Sequence, residues 1–285
     1  MKSFRGGLAA WVGVVVMAHS ALADVVAIDA AKDNTLYEDP NGQISNGSGS
    51  YFFAGTTAIG EVRRGVIAFD ITGNVPPGAT ITGASLTLNM SRTIAGDVDV
   101  GLHRVEADWG EGASDASGQE GAGAPAEPGD ATWIHTFFDT AFWANVGGDF
   151  SLNASAVQII GDLGFYTWES TEGLVADVQA WLNDPLNNFG WLLLADETNF
   201  PTAKRFDTKD HIDPDVHPVL TVEFTPPGDC DGDGDADLDD FAAFLNCFTG
   251  PNAGPVDPEC ECADIDADGD ADFDDFALFQ LAFTG

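Results

Sequence analysis

Basic residues are scarce. Lys and Arg number 10 against 47 Asp and Glu in 285 residues, a formal net charge of −37. A chain this acidic repels phosphate backbones and anionic lipid surfaces, so neither nucleic acid nor an anionic membrane is an expected partner. Cysteine is confined to Cys230, Cys247, Cys260 and Cys262, and no G-x-S-x-G, H-E-x-x-H or phosphate-binding loop occurs. His103, His135, His211 and His217 are scattered. No apolar run beyond residue 23 is long enough to span a bilayer, so no membrane insertion is expected once that segment is removed. Apolar residues still make up 44% of the chain, with 20 Phe and 7 Trp, which excludes a disordered acidic tail.

The first segment carries Lys2 and Arg5, an apolar run over 8–18, and Ala21-Leu22-Ala23. That is the layout of a secretory signal peptide (residues 1–23) cleaved before Asp24, and it places the protein outside the cell or at its surface, where disulfides form.

From Asp24 to Thr225 the chain reads as short strands between Gly, Asn and Asp turns. Ala84-Ser85-Leu86-Thr87-Leu88-Asn89 alternates with the period of a half-buried strand. Leu174, Val175, Val178 and Trp181 recur at helical spacing over 171–183, and Pro185 closes that segment. Roughly ten strands, one helix and no βαβ rhythm predict a mainly β fold, a jelly-roll β-sandwich with one sizeable core. A Gly-, Ala- and Ser-rich stretch over 110–129 interrupts the strands; it is either a functional loop or a flexible insertion. Thr225-Pro226-Pro227-Gly228 can neither continue a sheet nor begin a helix, and marks a boundary between a domain over 24–225 and a second over 226–285.

Residues 229–285 hold 17 acidic and no basic side chains. Asp229–Gly250 and Asp264–Gly285 match at 15 of 22 positions, and each contains D-x-D-x-D-G-D-x-D-x-x-D. Calcium takes six to eight oxygen ligands, and a 12-residue loop supplies them from positions 1, 3, 5, 7, 9 and 12. In the first loop these are Asp229, Asp231, Asp233, Asp235 (through its carbonyl), Asp237 and Asp240. In the second they are Asp264, Asp266, Asp268, Asp270 (carbonyl), Asp272 and Asp275. Gly234 and Gly269 occupy position 6, where the chain needs positive φ. Two Ca2+ ions are therefore expected. A helix should follow each loop, with Phe241, Phe244, Phe248 and Phe276, Phe279, Phe283 as core stripes; the prolines before each loop argue against a preceding helix.

This half-hand arrangement over 228–285 resembles the dockerin family, type I-like modules that bind cohesins in secreted polysaccharide-degrading assemblies. The resemblance implies a cohesin-like partner domain, contacted through loop positions 10 and 11, here Leu238, Asp239, Phe273 and Asp274. This chain departs from the family at position 8, where Ala236 and Ala271 replace bulky aliphatic residues, which suggests weaker pairing between the loops. Four cysteines allow three disulfide connectivities, and pairing of Cys247 with Cys260 or Cys262 would tie the end of the first helix to the linker.

The larger segment carries Thr35-Leu36-Tyr37-Glu38, Arg63-Arg64-Gly65, His103-Arg104-Val105, Asp108-Trp109-Gly110-Glu111-Gly112, Gly129-Asp130-Ala131-Thr132-Trp133, Trp181-Leu182-Asn183-Asp184-Pro185 and Ala203-Lys204-Arg205-Phe206. In order and spacing these phrases resemble the DNRLRE-type (disaggregatase-related) family of carbohydrate-binding-module-like domains. The family implies a non-catalytic jelly roll attached to enzymes that degrade acidic polysaccharides. Its name motif is absent here, where Asp196-Glu197-Thr198-Asn199-Phe200 stands instead.

The residues add their own expectation. Arg63, Arg64, Arg104, Lys204 and Arg205 are most of the basic residues after residue 23. They either cluster to hold the carboxylates of an acidic polysaccharide or pair with local acids. Among the tryptophans, Trp181 and Trp191 are expected in the core, and Trp109 and Trp143, beside Gly-rich turns, are candidate sugar-stacking platforms. The leading expectation is a secreted, non-catalytic polysaccharide-binding protein with a calcium-dependent docking tail. The alternatives are a polysaccharide lyase or glycoside hydrolase, with Arg104, His103 and Tyr166 as an imitation of a lyase base set, and a structural surface-assembly protein.

Overall fold

The computed structural model describes residues 23–283; the signal-peptide segment, Ala23 apart, lies outside them. Ten strands make up the main sheet system: β1 (Asp24–Tyr37), β2 (Tyr51–Thr56), β3 (Val62–Phe69), β4 (Thr80–Thr93), β5 (Val98–Arg104), β6 (Ala156–Ile160), β7 (Gly164–Trp168), β8 (Trp191–Ala195), β9 (Lys204–Asp207) and β10 (Val219–Thr225). They run in the order β1-β10-β4-β9-β2-β3-β8-β5-β6, with β7 on β4, and every pairing is antiparallel. The first half of β1 pairs with β10 and its second half with β3, the register shifting between Ala30 and Lys32. Strand β2 likewise joins β9 to β3. These two strands carry the chain from one layer into the other and wrap the sheets around the main core.

The core shows why the sequence alternates in some strands and not in others. In β4, buried residues alternate with more exposed ones from Leu86 to Met90, since one face looks to solvent. In β3 and β8 nearly every residue is buried. Ile67, Phe69, Trp191 and Leu193 point into the main core with Phe52, Trp168 and Phe206, while Val66, Ala68 and Leu192 face a second cluster containing Leu36, Trp109 and Trp143. That second face is covered by the loops over 105–150, so these strands are buried on both sides.

Helix α1 (Glu172–Asn183) is the one the periodicity predicts. Thr171 caps it by accepting from the Leu174 amide, and it seats Leu174, Val178 and Trp181 on the core. A short hairpin pairs His135–Phe137 with Ala141–Phe142.

The C-terminal region is helical. Helices α2 (Leu238–Cys247) and α3 (Phe273–Ala282) each follow one acidic loop and begin with a capping box, Asp237 with Asp240 and Asp272 with Asp275. A 3-10 turn, Pro258–Ala263, precedes the second loop. The sequence reading excluded a helix there, but proline is tolerated at the first helical position, where its missing N–H has no partner to lose. Phe244 and Phe279 are fully buried, Phe241 and Phe276 pack beside them, and Phe248 and Phe283 reach the surface. Disulfides join Cys230 to Cys262 and Cys247 to Cys260. The second matches the expected tie between helix end and linker; the first fastens the opening of the first loop to the 3-10 turn. Pro226, Pro227 and Gly228 are buried rather than forming a free linker. Gly228 has φ +86 and lies so close to Phe279 that a Cβ would fall 2.5 Å from its ring. No described helix is long and apolar enough to cross a membrane.

Candidate functional site

Two regions bring charged side chains together. In the C-terminal region, carboxylate oxygens of Asp229, Asp231, Asp233 and Asp240 lie within 4.8 Å of one another, as do those of Asp235, Asp237 and Asp240. The second loop repeats this with Asp264, Asp266 and Asp275, and with Asp270, Asp272 and Asp275. The chain forces this convergence by turning amides inward. Asp240 Oδ1 accepts from the Cys230 and Asp231 amides and Oδ2 from that of Asp237. Asp275 repeats the set with Ile265, Asp266 and Asp272. Gly234 and Gly269, with φ +103 and +99, make the sharp turn at position 6 as expected.

Three carboxylate oxygens, on Asp235, Asp264 and Asp270, are buried without a hydrogen-bond partner. Burial first, and neighbouring carboxylates second, push Asp229, Asp231, Asp235, Asp266 and Asp270 above the ordinary carboxylate range. An all-oxygen, all-anionic donor set with orphaned oxygens fits a hard metal cation. Asp268 is the expected ligand that falls outside these clusters; it accepts from the Asp270 amide instead. Asp235 and Asp270, expected to contribute through their carbonyls, also bring side-chain oxygens into the clusters.

Leu238 and Phe273 stand 69% and 71% exposed, with Asp239 and Asp274 exposed beside them, so positions 10 and 11 face outward rather than into the core. Phe273 packs edge-on against Phe248, 5.2 Å between centroids. Ala236 and Ala271 are fully buried, one in each small cluster. The Thr249 and Gly250 amides donate to the Ala271 carbonyl, so the second loop pairs with the chain that follows α2.

In the β region three of the expected basic residues, Arg63, Lys204 and Arg205, line one cleft, and Arg64 and Arg104 lie apart from it. Arg64 is bound by both oxygens of Glu197 at 2.7 and 2.8 Å, with the Gly147 carbonyl and the rings of Trp133 and Phe150 around it. It is an internal ion pair and not a free ligand contact. Lys204 is fully buried, and its ammonium donates to the Gly96 and Gly161 carbonyls, clamping two turns together. Trp109 and Trp143 are 1% and 6% exposed, and their indole N–H groups donate to the Phe189 and Thr132 carbonyls. Neither is a stacking platform: the Gly-rich turns beside them fold over the second cluster and enclose the rings. Trp181 and Trp191 are core, as expected. His103 bonds to the Ser151 carbonyl and Tyr166 donates to that of Asp162, so the imitation lyase set is dispersed on separate partners.

What remains is a cleft of about 230 Å³ lined by Arg63, Arg92, Arg205, Ile94, Pro201 and Gly121, among others. Arg205 lies opposite Arg92 across the β9–β4 ladder and stacks on Tyr51 at 3.6 Å; Arg63 stacks on Tyr37 at 4.8 Å. Gln119 Oε1 accepts from Arg92 at 2.6 Å and from Arg205 at 2.9 Å. Arg63 pairs with Glu61, but among the described residues neither Arg92 nor Arg205 forms a salt bridge. Burial pushes Arg205 below the ordinary arginine range; Tyr51 and Asp207 oppose this, and Arg92 adds to it. Two guanidiniums without a salt-bridge partner among the described residues stand side by side in this cleft.

The stretch over 110–129 builds one wall of this cleft. Glu120 is held at φ +61; its carboxylate accepts from Asn46 and the Tyr51 amide, and its carbonyl from the Tyr37 hydroxyl. A residue fixed in this sparsely populated conformation sets Gln119 on the arginines. The sequence reading missed Arg92 and Gln119. Only the ladder shows Arg92 facing Arg205, and the one signal for Gln119 was the unusual length of its loop.

No protein-family model matches the chain, and no curated protein matches it.

Proposed function

We propose that the chain is an exported, non-catalytic polysaccharide-binding protein: a jelly-roll β-sandwich that holds an acidic glycan, with a dockerin-like tail that binds calcium and docks to a cohesin-type domain. The observation that carries the glycan reading is the unneutralised Arg92–Arg205 pair bridged by Gln119. A uronate carboxylate is planar and anionic, and by displacing the Gln119 amide oxygen it would supply the charge that the site lacks. The dispersal of His103, Arg104 and Tyr166 favours binding over lyase chemistry.

The tail is supported by the duplicated carboxylate clusters, their orphaned oxygens and the outward apolar pair Leu238 and Phe273. Asp229, Asp231, Asp233, Asp235, Asp237 and Asp240 would hold one ion and their counterparts in the second loop the other. The ions would neutralise part of the loop charge and fix the position of each helix.

The test is a glycan array with the full exported chain, alongside an assay for released sugar ends. Binding to uronate-containing glycans, no product, and a loss of at least tenfold in affinity (about 1.4 kcal/mol) in Arg205→Met are expected. Turnover of any bound glycan, or uronate affinity unchanged in Arg205→Met, overturns the reading.

A further inference from the structure

A second cleft, of about 350 Å³, lies between the end of β5 and the C-terminal half of α1, formed by elements different from those around Arg205. Arg104, Glu106, Trp181, Asp184, Asn187 and Phe189 line it. One of its donors is unpaired and another only weakly paired. The Arg104 side chain is 45% exposed, and its nearest carboxylate, on Asp177, stands 3.9 Å away. Asp177 Oδ2 accepts from Trp191 Nε1 at 2.8 Å and from the Ser155 hydroxyl, which holds the carboxylate in place with only Oδ1 towards Arg104 at that long distance. The Trp181 ring is 1% exposed, and its indole N–H has no acceptor. A buried N–H without a partner is rare in folded proteins and calls for a ligand or a reason.

The charge here differs from that of the arginine cleft. One guanidinium faces two exposed carboxylates, Glu106 and Asp184, so the walls carry a net negative charge and disfavour an anionic ring. The wall needs a neutral group that can accept from Arg104 and Trp181 while donating to Asp184 or Glu106. A hydroxyl does both, with one donor and two lone pairs. Phe189 supplies an apolar surface for the C–H face of a ring. Phosphate and uronate fail on charge, and a hydrocarbon would leave every polar group unmet.

We propose that this cleft is a second subsite, which binds a neutral sugar residue through Arg104, Trp181 and Asp184. The inference rests on the reading of the β region as polysaccharide-binding. It assigns the two clefts different sugars, uronate beside Arg205 and neutral beside Trp181, so a mixed or branched glycan engages both.

Titration calorimetry on the full chain tests this, with cello-, xylo-, manno- and galactohexaose as neutral probes and hexamannuronate and hexagalacturonate as acidic ones. At least one neutral probe should bind, with a loss of at least tenfold in Trp181→Phe and in Arg104→Ala and no change in Arg205→Met. Trp181→Phe also shrinks a ring buried in the core, so its melting temperature should fall. Arg104→Ala, on a side chain 45% exposed, should leave the melting temperature unchanged, and that variant separates lost binding from lost folding. Neutral binding indifferent to both cleft variants overturns the subsite. So does acidic binding that falls in Arg104→Ala but not in Arg205→Met. Acidic binding sensitive to Arg205→Met with no neutral binding removes this cleft and leaves the proposed function standing; no binding of either kind removes both.

Discussion

The β region and the helical tail reach a folded state by different means. The β region buries Trp109, Trp168, Trp181 and Trp191 almost completely, with Phe52, Phe69 and Phe206 among them. The buried apolar core of the tail is Phe244 and Phe279 with four alanines, divided into two small clusters. Apolar burial contributes about 25 cal/mol per Å², so alanine cores contribute little, and the tail must also hold its carboxylate clusters together against their own repulsion. The difference teaches that the acidity has two meanings. In the tail it is gathered into carboxylate clusters that could hold metal ions, and in the β region it is the background against which two arginines without salt bridges stand out.

The largest expected effect comes from removing calcium. In calorimetry with a chelator, the tail should lose its cooperative transition while the β transition stays in place. Added calcium should restore it, since saturation at 1,000 times Kd stabilises by about 4.1 kcal/mol. A single transition indifferent to both additions would dissolve the contrast.

Next come the disulfides. Cys230–Cys262 closes a loop of sequence separation 32 and Cys247–Cys260 one of 13. Replacing the first pair by serines should cost about 2–4 kcal/mol, read as a lower melting point of the tail alone and a weaker calcium midpoint. An equal shift in the β transition would show that the buried Pro226-Pro227-Gly228 junction couples the two regions.

How legible each region was follows from the same contrast. The tail repeats itself at short range, so loop positions and helices could be read from spacing alone, while the contact positions Leu238 and Phe273 rested on the family resemblance. The error at Pro258 came from treating proline as a block rather than as a helix start. In the β region the strand alternation was legible, but the site was not. Arg205 and Arg92 are neighbours only because β9 lies against β4. Arg64 was indistinguishable from Arg63 until Glu197 was found beside it. Trp109 and Trp143 looked exposed because glycines flank them, yet their loops close over a second core whose existence no local pattern announces.

A third prediction probes the β region by pH. Asp33 is fully buried, one oxygen accepts from the Lys209 amide, and the other has no partner. Burial pushes it up to about 8; the Lys209 amide and charge oppose this, and Glu111 and Asp210 add to it. Its folded value lies above the unfolded one near 3.9, so the folded state binds the extra proton between them. That contribution is complete below about pH 4 and is lost as the pH rises towards 8. The melting temperature of the β transition should therefore fall across this range, and Asp33→Asn should flatten the slope and raise the value at pH 8. An unchanged slope would mean that Asp33 is already neutralised by Lys209.

The smallest effect returns to the tail, where its two loops differ. At position 4 the first loop has Gly232 at φ +78, and the second has Ala267 at φ +61. Glycine enters that left-handed region freely, whereas a Cβ there meets the following carbonyl at a cost of roughly 1–2 kcal/mol. The loops share the bond from the position 6 amide, with Gly234 and Gly269 donating to Asp229 and Asp264, but the Gly232 amide also donates to Asp229 Oδ1, whereas Asp264 Oδ1 has no partner. Ala267→Gly should stabilise that loop by a little under 1 kcal/mol, because glycine's greater freedom in the unfolded chain offsets part of the relief. Gly232→Ala should cost the first loop a similar amount. Calcium titration of the two variants reads this directly: one should tighten the weaker of two binding steps, and the other should loosen the stronger. If the two substitutions move the same step, the loops do not bind independently, and the tail is a single cooperative unit.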